Sequence, residues 1–305
     1  MRFQTDNMAH TTLYFLAVFS LSTAPNWAKL SSMPAEIMGF WRLFFAFVIL
    51  ASFIAVRKQK MTVLKDKNLK WAVTSAFFFF LHLWSYKYAA KNTLVANMMI
   101  LFASNPIWAS LGGYLFFKEK LSLRIVISYF VALAGIILLF SDSFALSAEQ
   151  NFGNMIALTS AFFYAAYMLT SKQARQTMDN INYACVQYSF TAICFLGISL
   201  ITQAEFFDYN PISWVALAGV VLISTLIGHL SFTYLVKHMN ISLMTCGKLI
   251  EPVIASVLAY FIFSEKIGQN AAFSFSLIAL SVISLFWPQI KLQYKTQFKT
   301  KSQTK

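Results

Sequence analysis

The chain has 305 residues, 58% of them hydrophobic and only 11% charged, a balance too apolar for an ordinary soluble domain. Its formal net charge of +13 would suggest nucleic acid in a soluble protein, but the basic residues gather in loops and the tail. There they orient a membrane chain, so a nucleic-acid partner is set aside.

In chain order, ten apolar stretches are predicted to span a bilayer: 11–30, 36–56, 70–90, 94–117, 123–141, 152–171, 183–203, 212–236, 241–263 and 270–288. The first has no small-residue cleavage site and is followed by many more, so it reads as retained. Links are short, the longest being the basic stretch 57–70, and the hydrophilic residues after Pro288 predict a disordered basic tail. With the N-terminus inside, 18 of the 24 Lys and Arg fall on inner loops and ends and only Lys29, Lys91 and Lys266 on the outer side. That bias predicts an inner (plasma) membrane protein with both termini cytoplasmic. Cys185, Cys194 and Cys246 all sit in apolar stretches, which predicts free thiols rather than disulfides.

The ninth stretch is the unusual one. Lys248 and Glu251 stand near its middle, three residues apart and so on one helical face, and Pro252 follows at once. A charge at that depth costs about 2.5 kcal/mol or more unless it finds a partner or lines a cavity. Pro252 has no N–H to donate, which leaves the Lys248 carbonyl without its helical partner and invites a kink.

A shift of 146 residues lays the fourth stretch over the ninth. Tyr88, Lys91, Pro106, Ala109, Ser110, Tyr114, Phe117, Glu119 and Lys120 fall on Tyr234, Lys237, Pro252, Ala255, Ser256, Tyr260, Phe263, Glu265 and Lys266. A repeat of half the chain implies two five-helix units, 1–145 and 146–290, ahead of a basic cytoplasmic tail at 291–305. Because five is odd, the second unit enters the membrane from the opposite side. Inverted repeats of this kind characterise secondary transporters, with the substrate site near mid-membrane between the halves. Before the repeated proline the halves differ, Asn105 in one and Glu251 in the other.

The ten stretches, the repeat, and the blocks NPIWASLGGYLFFKEKLS and EPVIASVLAYFIFSEKIG resemble the EamA-type transporters of the drug/metabolite transporter superfamily over nearly the whole chain. The second block is closer to that family's pattern of Glu-Pro, apolar run, small residue and Glu; Asn105 stands where the family varies. The resemblance implies the fold and transport. It leaves the substrate open, since members are assigned to amino acids, other metabolites, nucleoside-like compounds and drugs.

Two readings fit Lys248 and Glu251: a structural ion pair, or a substrate or proton-coupling site, the default for intramembrane charges. Arg42, two turns into the second stretch, either snorkels, bonds carbonyls or lines the cavity; Lys87 reads as snorkelling to the outer headgroups. If all three cations line the cavity, a substrate bearing a carboxylate or phosphate is favoured. Asn26 and Trp27 beside Pro25, and Tyr164 on the sixth stretch, are expected at the wall, as is Asn105; Asn97 and Tyr167 carry the same ambiguity between packing and lining. His82 and His229 have no second ligand at helical spacing and read as packing histidines. Glu119 and Glu265 read as helix-end charges beside Lys120 and Lys266, and the phenylalanines at 77–80 as lipid-facing or core bulk. Cys246-Gly247-Lys248 only ends like a phosphate loop, with Ser242 for its first glycine and Leu249 for the Ser/Thr, and no hydrolase signature occurs.

The sequence thus predicts an all-α membrane protein of ten transmembrane helices in two inverted repeats, a secondary transporter without cofactor or metal. Its site would comprise Lys248, Glu251, Asn105, Arg42, Asn26, Trp27 and Tyr164, with helix breaks at Pro106 and Pro252. Its partners would be a small organic solute (an amino acid, nucleoside-like or carboxylate-bearing compound), the bilayer and, for coupling, protons, with a homodimer left open. An integral membrane enzyme acting on a lipid-linked group is the runner-up, and a non-transporting scaffold the third reading.

Overall fold

Apolar stretches that must satisfy their own backbone in hydrocarbon have helix as the local answer. The computed structural model describes residues 7–58, 66–93, 95–139, 141, 151–264 and 270–303, and among them every regular element is helical. The first half holds α1 (Asn7–Ser22), α2 (Ala24–Leu30), α3 (Ala35–Val56), α4 (Leu69–Asn92), α5 (Val95–Phe102), α6 (Asn105–Phe117) and α7 (Leu123–Leu139). The second holds α8 (Asn151–Ala174), α9 (Asn180–Ile201), α10 (Pro211–Gly219), α11 (Leu230–Leu235), α12 (Ile241–Gly247), α13 (Glu251–Phe263) and α14 (Ala271–Gln303). A π-helical segment, Val220–His229, joins α10 to α11, and a single 3₁₀ turn, Lys248–Ile250, joins α12 to α13.

Among the described residues, seven helical stretches are long and apolar enough to cross a membrane, and α7 is apolar but shorter. The two other expected spans fall outside that class for different reasons. The first is broken at Thr23 into α1 and α2, and α4 spends its length on aromatic side chains, His82 and lysines. The bundle's outer surface carries Phe15, Phe19, Ile49, Leu111, Leu115, Phe130 and Leu280, the face a lipid-embedded protein presents. α14 runs past Pro288 to Gln303, where the sequence predicts disorder; Lys, Gln and Leu are adequate helix formers for extending a helix already nucleated.

The main helix pairs join one half of the chain to the other: α4 with α8, α3 with α9, α7 with α14, and α1 with the π segment. Exchanging the halves maps this set onto itself, α4–α8 becoming the counterpart of α1 with the α10–α11 stretch. The helix ends repeat as well. Residues with positive φ close α6 and α13 at Lys118 and Ser264 (53° and 54°) and follow α3 and α9 at Lys58 and Gln203 (50° and 51°).

Small residues allow these approaches. The α8 face against α4 carries Gly153, Ala157, Ser160, Ala161, Ala165 and Ser171, all buried. At Gly153 a β-carbon would stand 2.4 Å from the Asn92 carbonyl oxygen, a backbone atom that cannot step aside. Gly153→Ala is expected to cost about 1–3 kcal/mol, read as a lowered thermal midpoint in detergent; an unchanged midpoint would show that α4 and α8 separate freely there.

The phenylalanine run divides between the two roles open to it: Phe77 is exposed, whereas Phe79 and Phe80 are buried. The three cysteines are unbridged, Cys194 being only partly covered.

Candidate substrate site

Two helix breaks face each other at the centre, and each has its own chemistry. Pro106 has no N–H for the Phe102 carbonyl one turn back. The Asn105 side chain supplies the missing donor, its Nδ2 lying 3.0 Å from that oxygen. In the second half Glu251 cannot donate in this way, and the carbonyl freed by Pro252 is that of Lys248. The Glu251 backbone N–H donates to it instead, tightening Lys248–Ile250 into a 3₁₀ turn. The freed carbonyl expected from the sequence is therefore satisfied locally, by a side-chain amide in the first half and by a backbone N–H in the second.

That turn presents Lys248 and Glu251 together. Lys248 Nζ lies 3.1 Å from Glu251 Oε2, with the two side chains 13% and 22% exposed. The ammonium also stands 4.5 Å from the centre of the Tyr164 ring, within cation–π range. Both charges line a cavity of about 70 Å³, room for a few waters, whose wall also includes Tyr86, Phe102, Asn105, Thr245 and Pro25. Asn105 Oδ1 is buried there without a hydrogen-bond partner, an acceptor still to be used.

The remaining predicted residues divide. Asn26 Nδ2 donates to the Ala255 carbonyl at 3.3 Å, tying α2 to α13 beside the cavity. Trp27 packs outside the cavity with Met33, Met38 and Leu217, its ring so close to Gly219 that a β-carbon there would meet it at 2.6 Å. Arg42 also lies outside the cavity; its Nε donates to Thr225 Oγ1 at 2.7 Å. Lys87 Nζ donates to the Ala35 carbonyl at 2.7 Å, a tie between helices. Glu265 and Lys266 lie outside the described residues, as does the side chain of Asn97.

The two histidines are structural neighbours of the site. His82 Nδ1 lies 3.0 Å from Ser160 Oγ, and its ring sits edge-on to Tyr164 and stacked on Phe102. His229 is held between hydroxyls, Tyr167 at Nε2 (2.9 Å) and Tyr188 at Nδ1 (3.1 Å). Among the described residues no group of three His, Cys, Asp or Glu is placed to hold a metal.

Sequence reasoning did not single out Tyr86, Phe102 and Thr245 at the wall, since nothing in their spacing separates them from packing residues. It also read Glu119 as a helix-end charge beside Lys120. In the structure Glu119 instead forms an ion pair with Lys172 of α8 and accepts from the Ile241 backbone N–H at 2.9 Å, capping α12. Lys172 Nζ further donates to the Met239 carbonyl at 2.9 Å.

The pattern of the EamA-like transporter family matches the chain twice, over residues 10–141 and 151–287. Three proteins described as uncharacterized transporters are similar to it. The one from Haemophilus influenzae is 26% identical over 242 residues, 73% of this chain and 76% of that protein. That from Archaeoglobus fulgidus is 25% identical over 248 residues, 80% and 84% of the two chains. For the Clostridium kluyveri protein the figures are 22% over 204 residues, and the match spans 65% of each chain. A solved structure, described only as the crystal structure of a protein, has the same fold, with a TM-score of 0.80 at 16% identity over 93% of this chain and 98% of that one. A double family match, a helical bundle with an apolar exterior and a charged centre make this a multi-pass membrane transporter, and the chain belongs to the EamA-like transporter family.

Proposed function

We propose that the protein is a secondary transporter that moves a small organic metabolite across the inner membrane by alternating access. The observation that carries this reading is the pair of proline-linked helix breaks, at Asn105 and at Lys248–Glu251, lining one cavity at the junction of the halves. Broken helices supply unspent polar groups where a regular helix offers none. In this reading α1–α2 and α4 also cross the membrane, giving ten spans in two inverted repeats, 1–145 and 146–290. The pairing set that survives exchange of the halves supports it. The surplus of Lys and Arg on one side supports cytoplasmic termini.

Lys248 and Glu251 form the charged floor, Asn105 stands opposite, and Tyr164 covers the ammonium. Asn26 braces α2 against α13. The halves rock about this centre, driven by the substrate gradient or by protons exchanged at Glu251.

The test is counterflow. Purified protein is screened by thermal shift against amino acids, nucleosides, nucleotide-like cofactors and polyamines, because a ligand that binds the fold raises its midpoint. Vesicles holding the protein and preloaded with an unlabelled hit are then expected to concentrate the labelled compound without ATP. Glu251→Gln vesicles are expected to lose that uptake. Uptake that needs ATP, or that survives Glu251→Gln unchanged, sinks the mechanism. An imposed proton gradient that drives accumulation only in the native protein assigns coupling to Glu251.

A further inference from the structure

A second, larger cleft opens at the end of the bundle where α7 and α12 begin and α14 passes Pro288. Its volume is about 420 Å³, against about 70 Å³ at the centre, and it shares no lining residue with the central cavity. Its wall is apolar, built from Ile125 of α7, Leu243 of α12 and Leu285 of α14; its rim is polar, with Ser122 and Arg124 exposed and Asn240 half-buried. The polar groups of that rim are left as donors. Ser122 Oγ accepts the Ile125 N–H at 3.3 Å and Asn240 Oδ1 accepts the Leu243 N–H at 3.0 Å, so each caps a helix and keeps its own proton, hydroxyl or amide, to give. Arg124 adds the two-pronged guanidinium that suits an oxyanion, and no carboxylate lines the cleft. Two further exposed cations, Lys118 and Lys120, precede it in the chain. Glu119, between those lysines, pairs inward with Lys172, and among the described residues no carboxylate pairs with Lys118, Lys120 or Arg124.

Depth decides the kind of anion. Trp287, half exposed beside Pro288, is the residue type that gathers at the level of lipid headgroups, while Leu280 and Ile283 of the same helix are exposed to the acyl chains. A soluble anion would use the rim and leave the apolar wall empty, whereas a phospholipid uses both. We propose that the cleft binds an anionic glycerophospholipid, its phosphate taken by Arg124, Ser122 and Asn240 and the start of one acyl chain lying on Ile125, Leu243 and Leu285. Lys118 and Lys120 raise the local concentration of acidic headgroups. Because Asn240 caps α12, and α12 leads into the Lys248–Ile250 turn, the lipid ties α7, α12 and α14 together at the end where Glu119 binds the Ile241 N–H. The inference needs the membrane setting and goes beyond the transporter reading.

The test uses the purified full chain, stripped of lipid in an uncharged detergent. It is titrated with phosphatidylglycerol, with phosphatidylcholine of the same acyl chains, and with glycerol phosphate. Retention is read by native mass spectrometry and stabilisation by the thermal midpoint. Phosphatidylglycerol is expected to be retained as a single lipid and to raise the midpoint, while the other two probes at the same concentration do neither. Arg124→Gln, at an exposed position where folding is not at stake, is expected to weaken phosphatidylglycerol by about tenfold. Arg57→Gln removes another exposed arginine, at the end of α3, and is expected to leave it unchanged. Leu243→Trp fills the cleft from its apolar side and is expected to lose the lipid with Arg124 intact. Equal retention of the two phospholipids, no retention of either, or binding that survives Arg124→Gln or Leu243→Trp overturns the assignment. So does equal weakening by Arg124→Gln and Arg57→Gln, which would make the attraction a property of the whole basic face. A midpoint raised as much by glycerol phosphate would make the rim a soluble-anion site and sink the lipid.

Discussion

Replacing Lys248 with alanine is expected to abolish uptake and to lower stability by about 3–5 kcal/mol, because it strands the Glu251 carboxylate in a cavity whose wall already holds an unpartnered acceptor, Asn105 Oδ1. The two losses have separate causes, and a second variant pulls them apart. Removing both charges, as in Lys248→Met with Glu251→Met, leaves no unpaired ion and is expected to recover most of the stability but none of the uptake. Thermal unfolding in detergent and vesicle uptake are measured on all three proteins. A double variant no more stable than Lys248→Ala would show that the charges are not coupled in the fold, and a double variant that still transports would make the pair structural.

Glu119→Ala is expected to have a comparable effect on stability at a different place. Its carboxylate does two things at once, pairing with Lys172 and capping α12 through the Ile241 N–H, with both side chains about one-tenth exposed. Truncation leaves Lys172 with only the Met239 carbonyl and Ile241 with an open donor, a loss of about 3 kcal/mol or more. Glu119→Gln retains an acceptor for Ile241 and is expected to fall between the two. Because this knot binds α6, α8 and α12 at one end of the bundle, the alanine variant should also admit thiol reagents to Cys246, buried one turn further along α12. Unchanged labelling of Cys246 alongside a normal midpoint would show that the knot is not what closes that end.

Both experiments bear on what a single chain of letters can reveal. Seven of the ten expected spans, the twofold family pattern and the charged ninth stretch were legible because hydrophobic length, a recurring proline and a lone deep carboxylate are local signals. The sequence also exposed the Asn105/Glu251 difference, but not its local reason, which depends on knowing which carbonyl each proline orphans and what can reach it. The π segment carries no proline or glycine pair to announce it, and is recognised only from its backbone, where the Leu230 N–H donates to the Thr225 carbonyl five residues back. Glu119 and Lys172 are 53 positions apart and meet only because α6 packs on α8. Trp27 looked like a wall residue from its polar neighbours; the small Gly219 opposite draws the ring away from the cavity instead.

The way the helices pair has a historical and a biosynthetic consequence. Since α3, α4 and α7 find their principal neighbours on the far side of the sequence midpoint, the helices of the first half have little to hold one another together when they leave the ribosome. They must wait in the membrane, polar faces uncovered, until their mirror set arrives. The same map describes two identical short chains gripping each other face to face. A fusion of such a pair would preserve every contact, and afterwards each copy would be free to change alone, one keeping an amide before its proline and the other acquiring an acid. Cut again at the midpoint and expressed together, the two fragments should find each other, whereas either fragment alone should be cleared by the cell's proteases.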